Sequence, residues 1–195
     1  MPNQTEIKQR NKALIAFRLL INIRDGALIS IRFKYVNLIN GSIFQDAHGI
    51  STEFSKTFTT YLFPVDDDIH QIVINYLKEQ KLWCHDDPLF PIENIGLNQN
   101  KQFNTIRLKR KHWITTGPIR DIFQQACKNA ELPYINSHSF RNKLVKLSEV
   151  ICKTSEDFKV WSQNLGHEKV MITFFSYGQV AEHQQSKIIK QLAVT

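Results

Sequence analysis

Apolar residues recur every three or four positions near the start of the chain. Residues 6–23, EIKQRNKALIAFRLLINI, have this spacing, which predicts a first helix. Residues 26–39, GALISIRFKYVNLI, predict a second helix that starts after Gly26. Two short apolar stretches, GSIFQDA (41–47) and FTTYLFPV (58–65), predict strands with a turn region between them. The first part of the chain therefore predicts two helices followed by a small sheet.

Helical spacing returns after the predicted strands. Asp66 is the expected N-cap of a helix over DDIHQIVINYLKEQKLW (67–83), because its carboxylate can accept hydrogen bonds from the free N–H groups of the first turn. Residues 84–116 are rich in Pro and Asn. We expect them to be irregular, apart from the basic segment RLKRKHW (107–113).

Further helices are predicted beyond this irregular region. Pro118 stands near the first position of PIRDIFQQACKNAEL, where its missing N–H has no helical partner to lose. Ser137 and Ser155 are the expected caps of the next two helices. Gly166 is the expected stop of the second of these. The segments EKVMITFFSYG and AEHQQSKIIKQLA complete the chain.

The whole pattern predicts a single domain over residues 1–195, mostly α with a small antiparallel β-sheet (α+β). Residues 181–195 keep their polar side chains in the first turns and their apolar ones later, which predicts an amphipathic tail helix. A lone helix of this length is marginal in water, so the tail needs a surface to pack against.

The net charge of the chain indicates what kind of partner it binds. The chain of 195 residues has a formal net charge of +7. An excess of cations favours a polyanionic partner, with nucleic acid ahead of a membrane surface. The alternative is a charge that only keeps the protein soluble.

Cysteine usage and the apolar runs indicate a cytoplasmic protein without a metal. The three cysteines are scattered and odd in number, which implies no disulfide framework. Cys84 and His85 resemble half a zinc site, but no second pair stands at zinc spacing, so we expect no metal and no cofactor. The N-terminus is polar and has no signal-peptide core. The longest apolar run, residues 13–23, is too short to span a bilayer and contains Arg18.

Six residues with the chemistry of phosphate transfer occur in a fixed order. One Arg lies at the join of the first two helices, and a Lys at the mouth of a strand. A His-x-x-Arg follows, with both residues on one side of a helix's first turn, and then a Leu-Gly-His and a Tyr. These candidate catalytic residues are Arg24, Lys56, His138, Arg141, His167 and Tyr177.

In these residues and this order the chain resembles the catalytic domain of the tyrosine recombinases, the phage-integrase family. The match runs from about residue 11 to residue 180. Single elements are weak signals, because His-x-x-Arg occurs often by chance. Five motif elements in the right order, each on the expected kind of helix or strand, are a strong signal. The resemblance implies a site-specific recombinase that cuts and rejoins double-stranded DNA through a 3′-phosphotyrosine link, without ATP or metal.

The resemblance gives two of these residues the role of a clamp. Phosphodiester cleavage gathers negative charge on the non-bridging oxygens. The guanidinium groups of Arg24 and Arg141 can hold those oxygens bidentately at any physiological pH.

The other four residues are the implied nucleophile and its acids and bases. Tyr177 is the nucleophile, which needs activation because a phenol has a pKa of about 10. His138 accepts its proton, and His167 donates to a phosphate oxygen. Lys56 protonates the leaving 5′ oxygen.

Each assignment has a structural alternative. Arg24 could be a surface charge at a helix end, and Lys56 a turn lysine with Lys34 nearby. His138 and His167 could be polar residues at helix termini. The aromatic residues near Tyr177, namely Phe174 and Phe175, are typical of a hydrophobic core. The basic segment 107–113 could be a solvated strand or touch DNA phosphates.

The chain departs from the family pattern near both ends of the motif set. The usual position of the nucleophile is one residue nearer to the Leu-Gly-His, where Ser176 stands here. An acidic residue usually follows the first Arg by three positions; Ala27 stands there, and Asp25 is the candidate substitute. The long spacing between Arg24 and His138 indicates an insertion.

The family also carries an N-terminal domain that clamps the other face of the duplex. Only about 23 residues precede Arg24, so we expect that domain to be absent and DNA binding to be weak. In the family the segment after the nucleophile commonly docks on a neighbouring protomer of a tetramer on DNA. The alternative for this tail is packing on its own domain.

Two other functions compete with the recombinase. One is a truncated, inactive integrase that binds DNA or a partner. The other is a type IB topoisomerase, which shares the chemistry. That family usually has a Lys where His138 stands, which argues against it.

Overall fold

The computed structural model describes residues 3–50, 57–80, 84–97 and 103–167, together with three residues of the tail. Its helices are α1 (Asn3–Ile21), α2 (Asp25–Ser30), α3 (Asp67–Glu79), α4 (Gly117–Asn129), α5 (Ser137–Ile151) and α6 (Ser155–Asn164). Its strands are β1 (Val36–Asn37), β2 (Ser42–Gln45), β3 (Phe58–Tyr61), β4 (Ile92–Leu97) and β5 (Phe103–Lys109). The predicted fold class, mostly α with a small antiparallel sheet, is confirmed.

The second predicted helix is shorter than its apolar pattern. It begins at Asp25, just before Gly26, and ends at Ser30. Ile31 and Arg32 beyond it are extended, and a 3₁₀ turn follows at Phe33–Tyr35. This segment bonds to a distant one: Leu89 N–H donates to Ile31 O (3.0 Å), and Lys34 N–H donates to His85 O (2.9 Å). Long-range backbone pairing thus ends a helix that local spacing would continue.

The two predicted strands form a three-stranded antiparallel sheet with β1, in the order β1-β2-β3. Ile43 pairs with Val36 on one side and Thr60 on the other. Ile43 is buried in the core, and Gln45 donates to Thr60 Oγ1 (2.8 Å) from the next buried position. Apolar and polar contacts therefore both hold the register.

The expectation of an irregular 84–116 region is wrong, because β4 and β5 pair there as an antiparallel hairpin. Arg10 of α1 is fully buried and anchors the hairpin. It donates to Pro91 O and to Glu93 Oε1 (2.6 Å), and its guanidinium lies 4.8 Å from the centre of the Trp113 ring. This contact spans more than eighty residues, so no local pattern predicts it.

The helix caps lie close to their predicted positions. Asp66 caps α3 as expected and accepts from two N–H groups of its first turn. The cap of α5 is Asn136, one residue before Ser137. The cap of α6 is Thr154, one residue before Ser155, and it forms a capping box with Asp157. In both cases the preceding residue has the extended backbone that a cap requires.

Two hydrophobic cores hold these elements. The first core combines α1, α2 and α3 with the sheet, the 89–90 segment and α4. The second core packs α5 against α6 and is the smaller of the two in the described part of the chain; its buried members there are Phe63, Leu144, Val145, Cys152, Trp161 and Leu165. Val65 packs against both cores, so the segment after β3 is where they meet.

Candidate active site

Arg24 lies at the join of two helices, as predicted. It is the N-cap residue of α2 and has extended backbone. Its carbonyl accepts the first hydrogen bond of that helix, from Leu28 N–H (2.8 Å). Its side chain is exposed. The first core therefore holds the backbone of Arg24 and leaves the guanidinium at the surface.

A buried ion pair lies next to Arg24. Arg18 Nε is 3.6 Å from Asp25 Oδ1, and the Arg18 side chain is almost fully buried. Burial lowers the pKa of Arg18 to about 10; the Asp25 charge opposes this shift and the Arg24 charge adds to it. Ala27, at the position where an acid was expected, is buried in the first core. The structure thus pairs the candidate substitute, Asp25, with Arg18.

The Leu-Gly-His segment is the C-terminal cap of α6. Gly166 has a φ of 75°, the left-handed conformation that glycine adopts without strain. His167 N–H donates to Ser162 O (3.1 Å) and Gly166 N–H to Gln163 O (2.8 Å). These are the two hydrogen bonds of the Schellman motif. The motif explains why a glycine ends this helix, and it fixes the backbone of His167 just beyond the helix end.

Arg141 contacts this cap from α5. Its Nη2 donates to Leu165 O at 2.7 Å. Leu165 O is one of the terminal carbonyls of α6 that lack a helical partner, and a cation is favoured at that end of a helix. The hydrogen bond therefore joins the first turns of α5 to the turn that carries His167.

The charges of Arg24 and Arg141 both act on His167. Partial burial, and after it the charges of Arg141 and then Arg24, together lower the pKa of the imidazole to about 4. His167 is therefore neutral at physiological pH in the unliganded protein. A bound phosphate would offset the two cations and raise this pKa. We call the two arginines and the neutral imidazole on which their charges act the cationic site.

The other candidate residues fall partly or wholly outside the described residues. Lys56 and Tyr177 lie outside them, as does the expected docking of the tail. The backbone of His138 lies in the first turn of α5, three residues before Arg141, as predicted. Its side chain lies outside the described part of the structure.

Two polar residues beside the site were missed from the sequence. Arg18 had a signal, because a charge within the apolar run of α1 requires a buried partner. Asn164 had none. Its side-chain amide bonds to the backbone of Tyr61, which lies 103 positions away.

Within the described ranges, no helix is long and apolar enough to cross a membrane. The same residues contain no group of three or more His, Cys, Asp or Glu side chains placed to hold a metal ion.

No protein-family model matches the chain, and neither does any curated protein sequence. Solved structures, in contrast, do match the chain. The crystal structure of XerA recombinase matches with a TM-score of 0.59 and 15% identity, over 99% of this chain and 63% of that one. The Tn1549 transposon integrase in complex with transposon right end DNA matches with a TM-score of 0.57 and 13% identity, over 96% of this chain and 60% of that one. The same integrase with circular intermediate DNA matches with a TM-score of 0.53.

These matches extend over nearly the whole chain, whereas the chain spans about three fifths of the length of the two solved proteins. At identities of 13–15%, they establish the fold and not the chemistry. The chain is therefore similar in fold to the solved structures of tyrosine recombinases and integrases.

Proposed function

We propose that this chain is the catalytic domain of a tyrosine-type, site-specific DNA recombinase. The observation that carries the proposal is the hydrogen bond from Arg141 Nη2 to Leu165 O (2.7 Å), which joins Arg141 to the turn of His167 in a fold similar to solved recombinases. The charges of Arg24 and Arg141 also act on the His167 imidazole. In this proposal two guanidinium groups and one imidazole, from three separate elements, converge on one phosphate. Surface charges placed for solubility alone would have no reason to converge.

In this proposal the two arginines hold the scissile phosphate. Arg24 is exposed, and Arg141 uses Nη2 on Leu165 O. Guanidinium groups remain protonated and match the two non-bridging oxygens in shape. Their charge stabilises the transition state more than the ground state, because negative charge accumulates there. His167 donates an N–H to the same phosphate.

The covalent step uses three residues assigned by resemblance. The Tyr177 oxygen attacks phosphorus and forms a phosphotyrosine bond, while its proton passes to His138. The bond from phosphorus to the 5′ oxygen breaks, and the leaving oxygen takes a proton from Lys56. A 5′ hydroxyl of another strand then attacks the phosphotyrosine and releases Tyr177. One phosphodiester replaces another, so the reaction needs no external energy source.

Double-stranded DNA is the proposed partner, consistent with the net charge of +7. The Tn1549 integrase, a protein of similar fold, is described in complex with DNA. We extend the proposal to a homotetramer on DNA in which the tail docks on the neighbouring copy. Deleting residues 182–195 should leave a folded protein that binds DNA but forms no higher-order complexes in native gels. Unfolding on deletion would contradict docking in trans.

The test is covalent capture on DNA. The protein is incubated with a pool of nicked duplexes of randomised sequence, in which a nick near the cleaved bond lets the released strand diffuse away. Adducts that survive detergent are isolated and sequenced. We expect the wild-type protein to form adducts that share a sequence, and Tyr177→Phe to form none while binding DNA equally well.

Ser176→Ala is the matched control, because it changes the neighbouring residue and should retain adduct formation. Adducts formed by Tyr177→Phe but lost in Ser176→Ala would move the nucleophile to Ser176. DNA binding without adducts in the wild-type protein would instead favour the inactive, DNA-binding integrase.

A further inference from the structure

The side chain of Asn164 bonds to the outer side of strand β3. Among the residues that the structure describes, β3 pairs with β2 on one side and with no strand on the other. On its other side, Tyr61 N–H donates to Asn164 Oδ1 (2.7 Å), and Asn164 Nδ2 donates to Tyr61 O (3.0 Å). One amide side chain thus satisfies both backbone groups of Tyr61, as a paired strand would.

The same turn meets β3 at a second point. The ring of Phe58 lies against Gly166, so closely that a Cβ at Gly166 would be 3.3 Å from Phe58 Cζ. Between these two contacts, the carbonyl of Leu165 accepts the hydrogen bond from Arg141. Residues 164–166 therefore contact the sheet at both ends and Arg141 in the middle.

Helix termination does not need this contact. The Schellman hydrogen bonds of His167 and Gly166 already cap α6, and the Trp161 ring already packs it on Phe63 in the second core (4.8 Å between ring centres). What the Asn164 amide adds is a fixed orientation of the turn relative to the sheet. That orientation determines where Leu165 O and the His167 ring lie.

We propose that Asn164 is a positioning residue, which holds the Leu165–His167 turn against β3 so that Arg141 and His167 face the same phosphate. This inference rests on the proposed recombinase function for its catalytic consequence. The positioning itself can be measured without catalysis. Asn164 has no proposed contact with DNA or with the reacting atoms.

The test compares Asn164→Leu with Gln163→Leu. Leucine has the same branching and the same number of side-chain heavy atoms as asparagine but cannot hydrogen-bond to Tyr61. Gln163 is the exposed neighbour on the same helix, so its replacement controls for an added apolar side chain. Asn164→Ala also removes the amide, and it is used in place of Asn164→Leu if the leucine variant does not fold.

The first readout is the His167 pKa, measured by NMR on histidine-labelled protein. In Asn164→Leu a looser turn should expose the imidazole and separate it from Arg141, so its pKa should rise from about 4 towards the ordinary value. In Gln163→Leu it should not change. An unchanged pKa in both Asn164 variants, or an equal rise in Gln163→Leu, would overturn the proposal.

The second readout is single-turnover cleavage of a duplex selected by covalent capture. Small misplacements of catalytic groups reduce rates by about tenfold to a hundredfold, and we expect a fall in this range for Asn164→Leu with unchanged DNA affinity. If Asn164→Leu cleaves DNA at the wild-type rate, the catalytic consequence of the proposal is refuted. Absence of cleavage by the wild-type protein would refute the proposed function, and the pKa comparison would still decide the positioning.

Discussion

The two hydrophobic cores differ in size and in what they contribute to the site. Counted over the described residues, the first core contains twenty buried side chains and supports Arg24. The second contains six; its helix α5 carries Arg141, and the turn after α6 carries His167. The cationic site therefore draws its groups from both cores, and its geometry depends on how the cores join.

Phe63 is the clearest link between the two cores. Its N–H donates to Leu20 O of α1 (2.7 Å), and its carbonyl accepts a hydrogen bond from His70 of α3 (2.9 Å). Its ring packs on Trp161 in the second core. The backbone of this residue thus belongs to one core and its side chain to the other.

The largest expected effect is on stability, from Phe63→Ala. Truncating a buried Phe typically costs about 3–5 kcal/mol in free energy of unfolding. Phe90→Ala, in the first core, is the matched control. We expect both variants to lose stability in urea denaturation and only Phe63→Ala to change the His167 pKa. A pKa shift of equal size in Phe90→Ala would mean that the cores do not act separately on the site.

Arg24→Lys and Arg141→Lys test whether both cores contribute to the clamp. Lysine keeps the charge but loses the planar fork, so each change should slow DNA cleavage about 10²–10³-fold, comparable to losing one oxyanion donor. The measurement is the single-turnover rate of adduct formation. An unchanged rate for Arg141→Lys would refute the clamp assignment for the second core.

The pH behaviour of His167 separates the two arginines. Arg141 lowers its pKa more than Arg24 does, so Arg141→Gln should raise that pKa further than Arg24→Gln in NMR titrations. The folded-state pKa of about 4 is below the ordinary value, so the unfolded chain binds a proton first. Protonation of His167 therefore lowers the free energy of unfolding as the pH falls from about 6.5 towards the folded-state pKa. A larger rise in Arg24→Gln would contradict the stronger effect of Arg141 on the His167 pKa.

The smallest expected effect comes from the helix caps. Thr154→Ala removes the capping box of α6, and Asp66→Ala removes the cap of α3; each should cost about 1 kcal/mol. We expect faster amide hydrogen exchange near the start of the affected helix in each case. Because α6 carries the His167 turn, only Thr154→Ala should also shift the His167 NMR signals. Equal shifts in Asp66→Ala would contradict that separation.

The sequence by itself determined the parts of the fold that rest on local interactions. The apolar spacing of α3 and its Asp66 cap act within a few residues, as does the glycine that ends α6. The order of Arg24, Arg141 and His167 was also readable, because their side-chain chemistry suits a phosphate. Their expected convergence on a phosphate rested on resemblance. The fold joins Arg141 to the turn of His167 by a hydrogen bond, and the charges of both arginines act on that imidazole.

Only the tertiary structure decided the long-range parts. The hairpin of β4 and β5 depends on Arg10, and the end of α2 depends on backbone pairing with the 85–89 segment. The contact between Asn164 and Tyr61 joins residues 103 positions apart. The free energy of such contacts comes from groups that are neighbours only after folding, so no periodicity or capping rule contains them.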